Sequence, residues 1–139
     1  MNMRNTLAIA LGAAALTFGA TSMAQADCDV PAALSPCKMC HELVHGHPAK
    51  PTGPNIADVY GSKAMQSEGF AYSPAIKKAA EKGLVWNDEN LDGYLADQHG
   101  FLTKFNGEEL PNKMILVTLK DKEKRDKVID ALKAYKSCK

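Results

Sequence analysis

The sequence predicts an all-α protein, a single small domain of helices and loops with no sheet. Apolar residues recur at helical spacing in three separate stretches, from Ala75 to Ala80, from Leu91 to Leu95 and from Val128 to Tyr135. No run of alternating apolar residues is long enough for a sheet, and only Met114 to Leu119 is ambiguous. The third observation is the run Cys37-Lys38-Met39-Cys40-His41, which reads as a covalent attachment site for a haem, a group that would enlarge the core of so short a chain.

Residues 1–26 begin with a positive end at Arg4, continue with an apolar run from Leu7 to about Phe18 and close on Ala24-Gln25-Ala26, a small-residue cleavage motif. They read as a secretory signal peptide. The apolar run is shorter than the roughly 20 residues of a membrane span, and Gly12, Thr17, Gly19, Thr21 and Ser22 dilute it. Asp27 is a poor residue to precede a lipidated Cys28. The expected product is residues 27–139, one compact domain of 113 residues, soluble and periplasmic.

Along that domain, Asp29 is expected to cap a short helix with Pro31 in its first turn, and Pro36, lacking an amide donor, to interrupt it just before Cys37. Gly46 to Pro54 is loop chemistry throughout and can wrap the histidine side of a haem. Ile56 to Tyr60 is a short apolar patch. Ser73-Pro74 opens a helix whose Ala75, Ile76, Ala79 and Ala80 face inward, and Gly83 closes it. Asn87 or Asp88 caps a second helix that buries Leu91, Tyr94 and Leu95. Residues 98–113 lack a clear period, contain Gly100, Gly107 and Pro111, and read as a long functional loop. A last helix begins near Asp121 and turns Val128, Ile129, Leu132 and Tyr135 inward.

The chemistry of the Cys37–His41 run follows from its spacing. Two thiols three positions apart can add to the two vinyl groups of one haem, and the histidine that follows at once can bring an imidazole nitrogen to the iron. A thioredoxin-like redox pair expects a βαβ context and needs no histidine. A zinc site is the stronger competitor, because His45 and His47 lie close enough in sequence to complete a tetrahedral set.

An exported chain enters an oxidising compartment, so two idle thiols are not expected in it. With Cys37 and Cys40 assigned, Cys28 and Cys138 form a candidate disulfide; two exposed thiols or an intermolecular bridge are the alternatives. The 17 basic side chains of the whole chain, set against 16 acidic ones, become 16 when Arg4 leaves with the signal peptide, so the mature formal charge is zero. Nucleic acid is excluded as a partner on that balance. Residues 27–100 carry six basic and ten acidic groups and residues 101–139 ten and six, which makes one end positive.

Further motifs give the chain a resemblance to the class I c-type cytochromes, mitochondrial cytochrome c and its bacterial periplasmic relatives. Thr52-Gly53-Pro54-Asn55 is similar to the family's proline turn, Gly69-Phe70-Ala71-Tyr72-Ser73 to its glycine-aromatic-tyrosine segment, and Trp86 to its lone tryptophan. Leu91 and Tyr94-Leu95 match its middle helix, Pro111-Asn112-Lys113-Met114 its methionine loop and Arg125 to Leu132 its closing helix. The resemblance covers most of the mature chain. It implies the cytochrome c fold, helices and loops wrapped around one covalently bound haem c, with Cys37 and Cys40 as attachment points and His41 and Met114 as iron ligands. By the same carry-over the Pro54 carbonyl orients His41, Tyr94 donates to the Met114 sulfur, and Tyr72 with Trp86 holds a haem propionate. Met39 and Met65 receive no such role.

The chain departs from the family in several places. Ala33 stands where the family brings a large aromatic toward the last helix, and Ser62 where it has an arginine beside the propionate. The helix after Ser73 and the methionine loop are both longer than in the mitochondrial form, a change surface loops tolerate well. Of the lysines around the family's haem edge, Lys50, Lys113 and Lys120 remain. The implied function is that of a monomeric one-electron carrier and not an enzyme, moving electrons between a dehydrogenase or cytochrome complex and an oxidase or reductase. Two alternatives stand beside it. One is a cytochrome subunit docked permanently to one dehydrogenase; the other is a haem enzyme or gas binder with an open iron position, for which His45, His47 and His99 are the spare side chains.

Overall fold

The computed structural model describes residues 28–138; the expected signal peptide, residues 1–26, lies outside them. Among the described residues four α-helices follow a 3-10 helix at Ala32–Cys37, and extended pairing is limited to isolated bridges such as Glu42 with Asn55 and Lys63 with Val85. Helix α1 spans Pro74–Glu81, α2 Asp88–Ala96, α3 Gln98–Asn106 and α4 Lys122–Lys136. Helix α2 packs on α3 and α4, α1 packs on α3, and the 3-10 helix packs on α4.

Each of the four α-helices starts where a side chain satisfies an unpaired amide. The Ser73 hydroxyl accepts from the Ile76 N–H with Pro74 in the first turn, the Asn87 side chain accepts from Asn90, and Asp121 accepts from both Glu123 and Lys124. The faces turned inward are Ala75, Ile76 and Ala79 on α1, Leu91, Tyr94 and Leu95 on α2, and Val128, Ile129, Leu132 and Tyr135 on α4. All of these but Tyr135 join Leu34, Leu43, Leu84, Trp86 and Leu102 in one hydrophobic cluster. Met114 to Leu119 forms no strand.

Two expectations are corrected. Residues 98–113 are not one long loop, because α3 occupies Gln98–Asn106. The Asp97 carboxylate accepts from the Gly100 N–H at its start, and Gly107, at φ +78°, ends it in the left-handed conformation. Phe101, Leu102 and Phe105 supply the inner face, a stripe too short to register as a period between the glycines. The opening helix also differs. Asp29 does not cap it; Pro31 is the N-cap residue with no side-chain bond, and a 3-10 helix runs through Pro36 to Cys37 without interruption. One missing donor is tolerated in so short an element, and the chain continues into a turn in which the His41 N–H donates to the Cys37 carbonyl at 2.9 Å.

Leu34, fully buried, carries the contact of this opening helix with the core, beside the position where Ala33 replaces an aromatic. A disulfide joins Cys28 to Cys138 with the Cα atoms 5.7 Å apart, tying the opening segment to the end of α4. Such a link across 110 residues lowers the entropy of the unfolded chain. Thiol titration of the denatured, unreduced holoprotein should therefore find no reactive thiol. Replacing both cysteines with serine should reduce unfolding stability by up to about 4 to 5 kcal/mol in the chain-entropy picture. Two free thiols in the monomer would refute the bridge.

Candidate haem site

The turn after the 3-10 helix sets Cys37 and Cys40 on one side, with the Cys40 N–H donating to the Cys37 carbonyl at 3.2 Å. Both are free thiols. Burial pushes the Cys37 thiol up, the opposite of a redox pair, whose attacking thiol is held low.

His41 follows directly, and its Nδ1 donates to the Pro54 carbonyl at 2.9 Å. Burial lowers the His41 pKa, the Pro54 bond works against that shift, and the Lys50 ammonium adds to it. The neutral imidazole is thus favoured, with its proton on Nδ1 and the Nε2 lone pair left to bind a metal. Gly53 is required for this approach. A Cβ there would lie 2.6 Å from the Cys40 carbonyl oxygen and 2.9 Å from His41 Nδ1, closer than any side chain permits. The loop is stitched to the turn by Thr52 Oγ1 on the Cys40 carbonyl and Lys50 Nζ on that of Lys38. Asn55 Nδ2 adds bonds to the carbonyls of Val44 and His47, both at 2.8 Å.

The remaining predicted residues belong to the cluster or pack against it. Trp86 and Tyr94 are buried in it, and Cys37, Tyr72 and Met114 pack against it. Trp86 meets Tyr94 edge to face at 4.9 Å, and Tyr94 meets Phe101 in the same way at 6.1 Å. The Asn112 side chain acts on the Tyr94 hydroxyl and favours its ionised form, against the larger effect of burial. Asn112 in turn donates through Nδ2 to the Met114 carbonyl at 3.1 Å. The Tyr72 hydroxyl accepts from the Ser67 N–H at 3.1 Å. Ser62, in the arginine position, folds its hydroxyl back onto the Val59 carbonyl.

The spare histidines do not converge on the cysteines. His45 lies with Nδ1 3.1 Å from Asp58 and Nε2 3.2 Å from the Tyr135 carbonyl, its ring stacked on Tyr135. His99 pairs with Glu109 at 3.4 Å on the surface. Among the described residues no three His, Cys, Asp or Glu side chains gather as a metal site. Sequence reasoning missed Asn112 and Ser67 as partners of the two tyrosines, since no local spacing relates them. It also missed α3, which Asp97 and Gly107 as caps around Phe101, Leu102 and Phe105 could have revealed.

Two thiols one turn apart, a neutral imidazole oriented through its far nitrogen and a thioether against the same apolar cluster fit a haem. An all-α shell with this donor set defines a class I c-type cytochrome. No family model matches the chain. It is 38% identical over 109 residues to the cytochrome c2 iso-2 of Magnetospirillum molischianum, a match covering 78% of this chain and 99% of that one. A cytochrome c2 of Rhodopseudomonas palustris is 45% identical over 69 residues, half of this chain, and the match spans 57% of the relative's length. Among solved structures, cytochrome c2 from Rhodospirillum centenum superposes with a TM-score of 0.66 at 31% identity, covering 75% of this chain and 92% of that one. The chain belongs to the cytochrome c2 family, whose members carry one covalently bound haem c.

Burial pushes the Tyr94 pKa up from 10 to about 12, against the smaller opposing effect of Asn112. An acid whose folded pKa is raised stays protonated in the fold after the unfolded chain has ionised, so its contribution to stability is intact below pH 10 and lost between 10 and 12. Urea unfolding across that range should show a loss of about 2 to 3 kcal/mol attributable to this residue. Tyr94→Phe should flatten that dependence; an unchanged slope would contradict the assignment.

Proposed function

We propose that the protein is a periplasmic one-electron carrier, working as residues 27–139 after removal of the signal peptide 1–26. The observation that carries this reading is the bond from His41 Nδ1 to the Pro54 carbonyl, which leaves Nε2 as a neutral donor beside Cys37 and Cys40. Cys37 and Cys40 would anchor the haem c, and His41 and Met114 would bind its iron. When bound, that group supplies a reversible one-electron couple. Two side-chain ligands would leave the iron no place for substrate, which suits outer-sphere electron transfer rather than enzyme chemistry. A thioether ligand and an apolar surround both favour the reduced state and a positive potential. Tyr72 and Trp86 serve the propionate side, and Tyr94 steadies the methionine loop through Asn112.

The export reading is supported by the Cys28–Cys138 disulfide, which suits an oxidising compartment. Among the described residues no helix is long and apolar enough to cross a membrane. The partners are redox proteins, a dehydrogenase or cytochrome complex as donor and an oxidase or reductase as acceptor. A permanently docked subunit is the second reading. It is favoured by Ile115 and Leu116, 72% and 84% exposed directly after Met114, an apolar pair that a partner surface would cover.

Met114→Ala should keep haem attached, because attachment depends on Cys37 and Cys40, while opening the sixth position to carbon monoxide. Absorption spectra of the oxidised and reduced variant, with and without carbon monoxide, test this; a retained methionine–iron charge-transfer band would mean that another residue is the ligand. Electron transfer with the physiological partner should slow as salt is raised from about 10 to 300 mM, because Lys104, Lys113 and Lys120 steer encounter through a field that ions screen. A salt-independent rate would favour the docked subunit.

A further inference from the structure

The segment that carries Met114 runs from the end of α3 at Gly107 to the cap of α4 at Asp121, and its two legs are held differently. On the approach, the Ala75 N–H donates to the Pro111 carbonyl at 3.1 Å, Asn112 meets Ser73 and Tyr94, and Lys113 Nζ bonds the Ala71 carbonyl at 2.6 Å. Ile115 and Leu116 then stand out into solvent. The return leg is caught first by Gln98, the opening residue of α3. Its Nε2 donates to the Val117 carbonyl and its Oε1 accepts from Thr118 Oγ1 at 3.3 Å. Beyond that point the Leu119 N–H donates to the Leu95 carbonyl at 2.8 Å, and Arg125 Nη1 donates to the carbonyls of Leu119 and Lys120, both at 2.9 Å.

Gln98 is only 4% exposed, although it is polar and stands in the first turn of a helix. Burying a carboxamide is unfavourable unless both of its ends are bonded, and here both ends are bonded to the same loop. Close packing does not set the loop's position on this side. A cleft of about 570 Å³ separates the start of α3 from the loop, lined by Gln98, His99, Leu110, Met114, Ile115 and Thr118. Met114 therefore borders open space into which it can swing, and the two Gln98 bonds, which tie the return leg to α3, limit how far the loop can shift to let it.

We propose that Gln98 is a positioning residue for Met114: its buried carboxamide clamps the return leg at Val117 and Thr118 and so sets how often Met114 leaves the iron for the cleft. The proposal rests on the reading of Met114 as the axial ligand. The side chain must be glutamine. Leucine fills the volume without either bond, and glutamate keeps the acceptor for Thr118 but loses the donor to Val117 and brings a charge into a buried place.

The test uses ferric holoprotein and imidazole as the probe, because an added ligand binds only the fraction of molecules whose methionine is displaced, and its apparent affinity follows that fraction. Gln98→Leu should bind imidazole about tenfold more tightly than the parent, the effect of losing a buried bond pair, and should lose the methionine–iron band at lower pH. Thr118→Val removes one of the two bonds from an exposed position and should move both readouts the same way by a smaller factor; it carries the test alone if Gln98→Leu does not fold. Ile129→Ala, which weakens the core away from the loop, should lower the urea midpoint while leaving imidazole affinity as in the parent. Parental affinity and band pH in both Gln98→Leu and Thr118→Val, or equal tightening in Ile129→Ala, would overturn the proposal. A band that survives Met114→Ala would instead overturn the ligand reading beneath it.

Discussion

The hydrogen bond from His41 Nδ1 to the Pro54 carbonyl is the contact on which the site depends, because it decides which nitrogen of the imidazole is free. A single bond of this kind contributes little net stability, so its geometry has to be imposed from outside. Gly53 allows the backbone to come within reach, Asn55 spans two carbonyls of the preceding turn, and the Ile56 N–H donates to the Glu42 carbonyl at 2.9 Å. Thirteen residues separate His41 from Pro54, and the loop between them exists to bring the two together.

The opposite wall follows another principle. Trp86, Tyr94, Phe101 and Phe105 form a column of rings with centroids about 5 to 6 Å apart, each at a separation typical of aromatic pairs. Two of these rings come from α3, the helix placed between the middle helix and the methionine loop. The loop is therefore suspended from a rigid column at its approach and from Gln98 and Arg125 on its return. Arg125 is itself fixed by Asp92 at 2.7 Å and only 9% exposed; its guanidinium serves the loop's carbonyls as much as the ion pair.

Closure of the shell falls to α4. Its inner face buries Val128, Ile129 and Leu132, and its last turn receives both His45, stacked on Tyr135, and the disulfide from Cys28. A buried leucine, Leu34, and the Cys28–Cys138 link join the start of the described chain to its last helix. Sequence separation explains why these ties matter: each joins the histidine side of the chain to its far end, where unfolding entropy is greatest.

Local chemistry was legible without coordinates. Ser73-Pro74, Asn87 and Asp121 announce helix starts because a capping side chain bonds an amide two or three residues away, and the inward faces of α1, α2 and α4 follow from spacing alone. The Cys37–His41 run named its cofactor for the same reason, since the chemistry of attachment is contained within five consecutive residues. The third helix was hidden because its apolar stripe is only one turn long, so that its caps outweigh its periodicity. Which partner the Tyr94 hydroxyl meets, where Gln98 spends its two bonds and that His45 turns to Asp58 and Tyr135 depend on groups 13 to 90 residues distant. Such pairings leave no local pattern, because they are chosen by which polar groups remain to be satisfied once the helices have packed, and only the tertiary structure decides that.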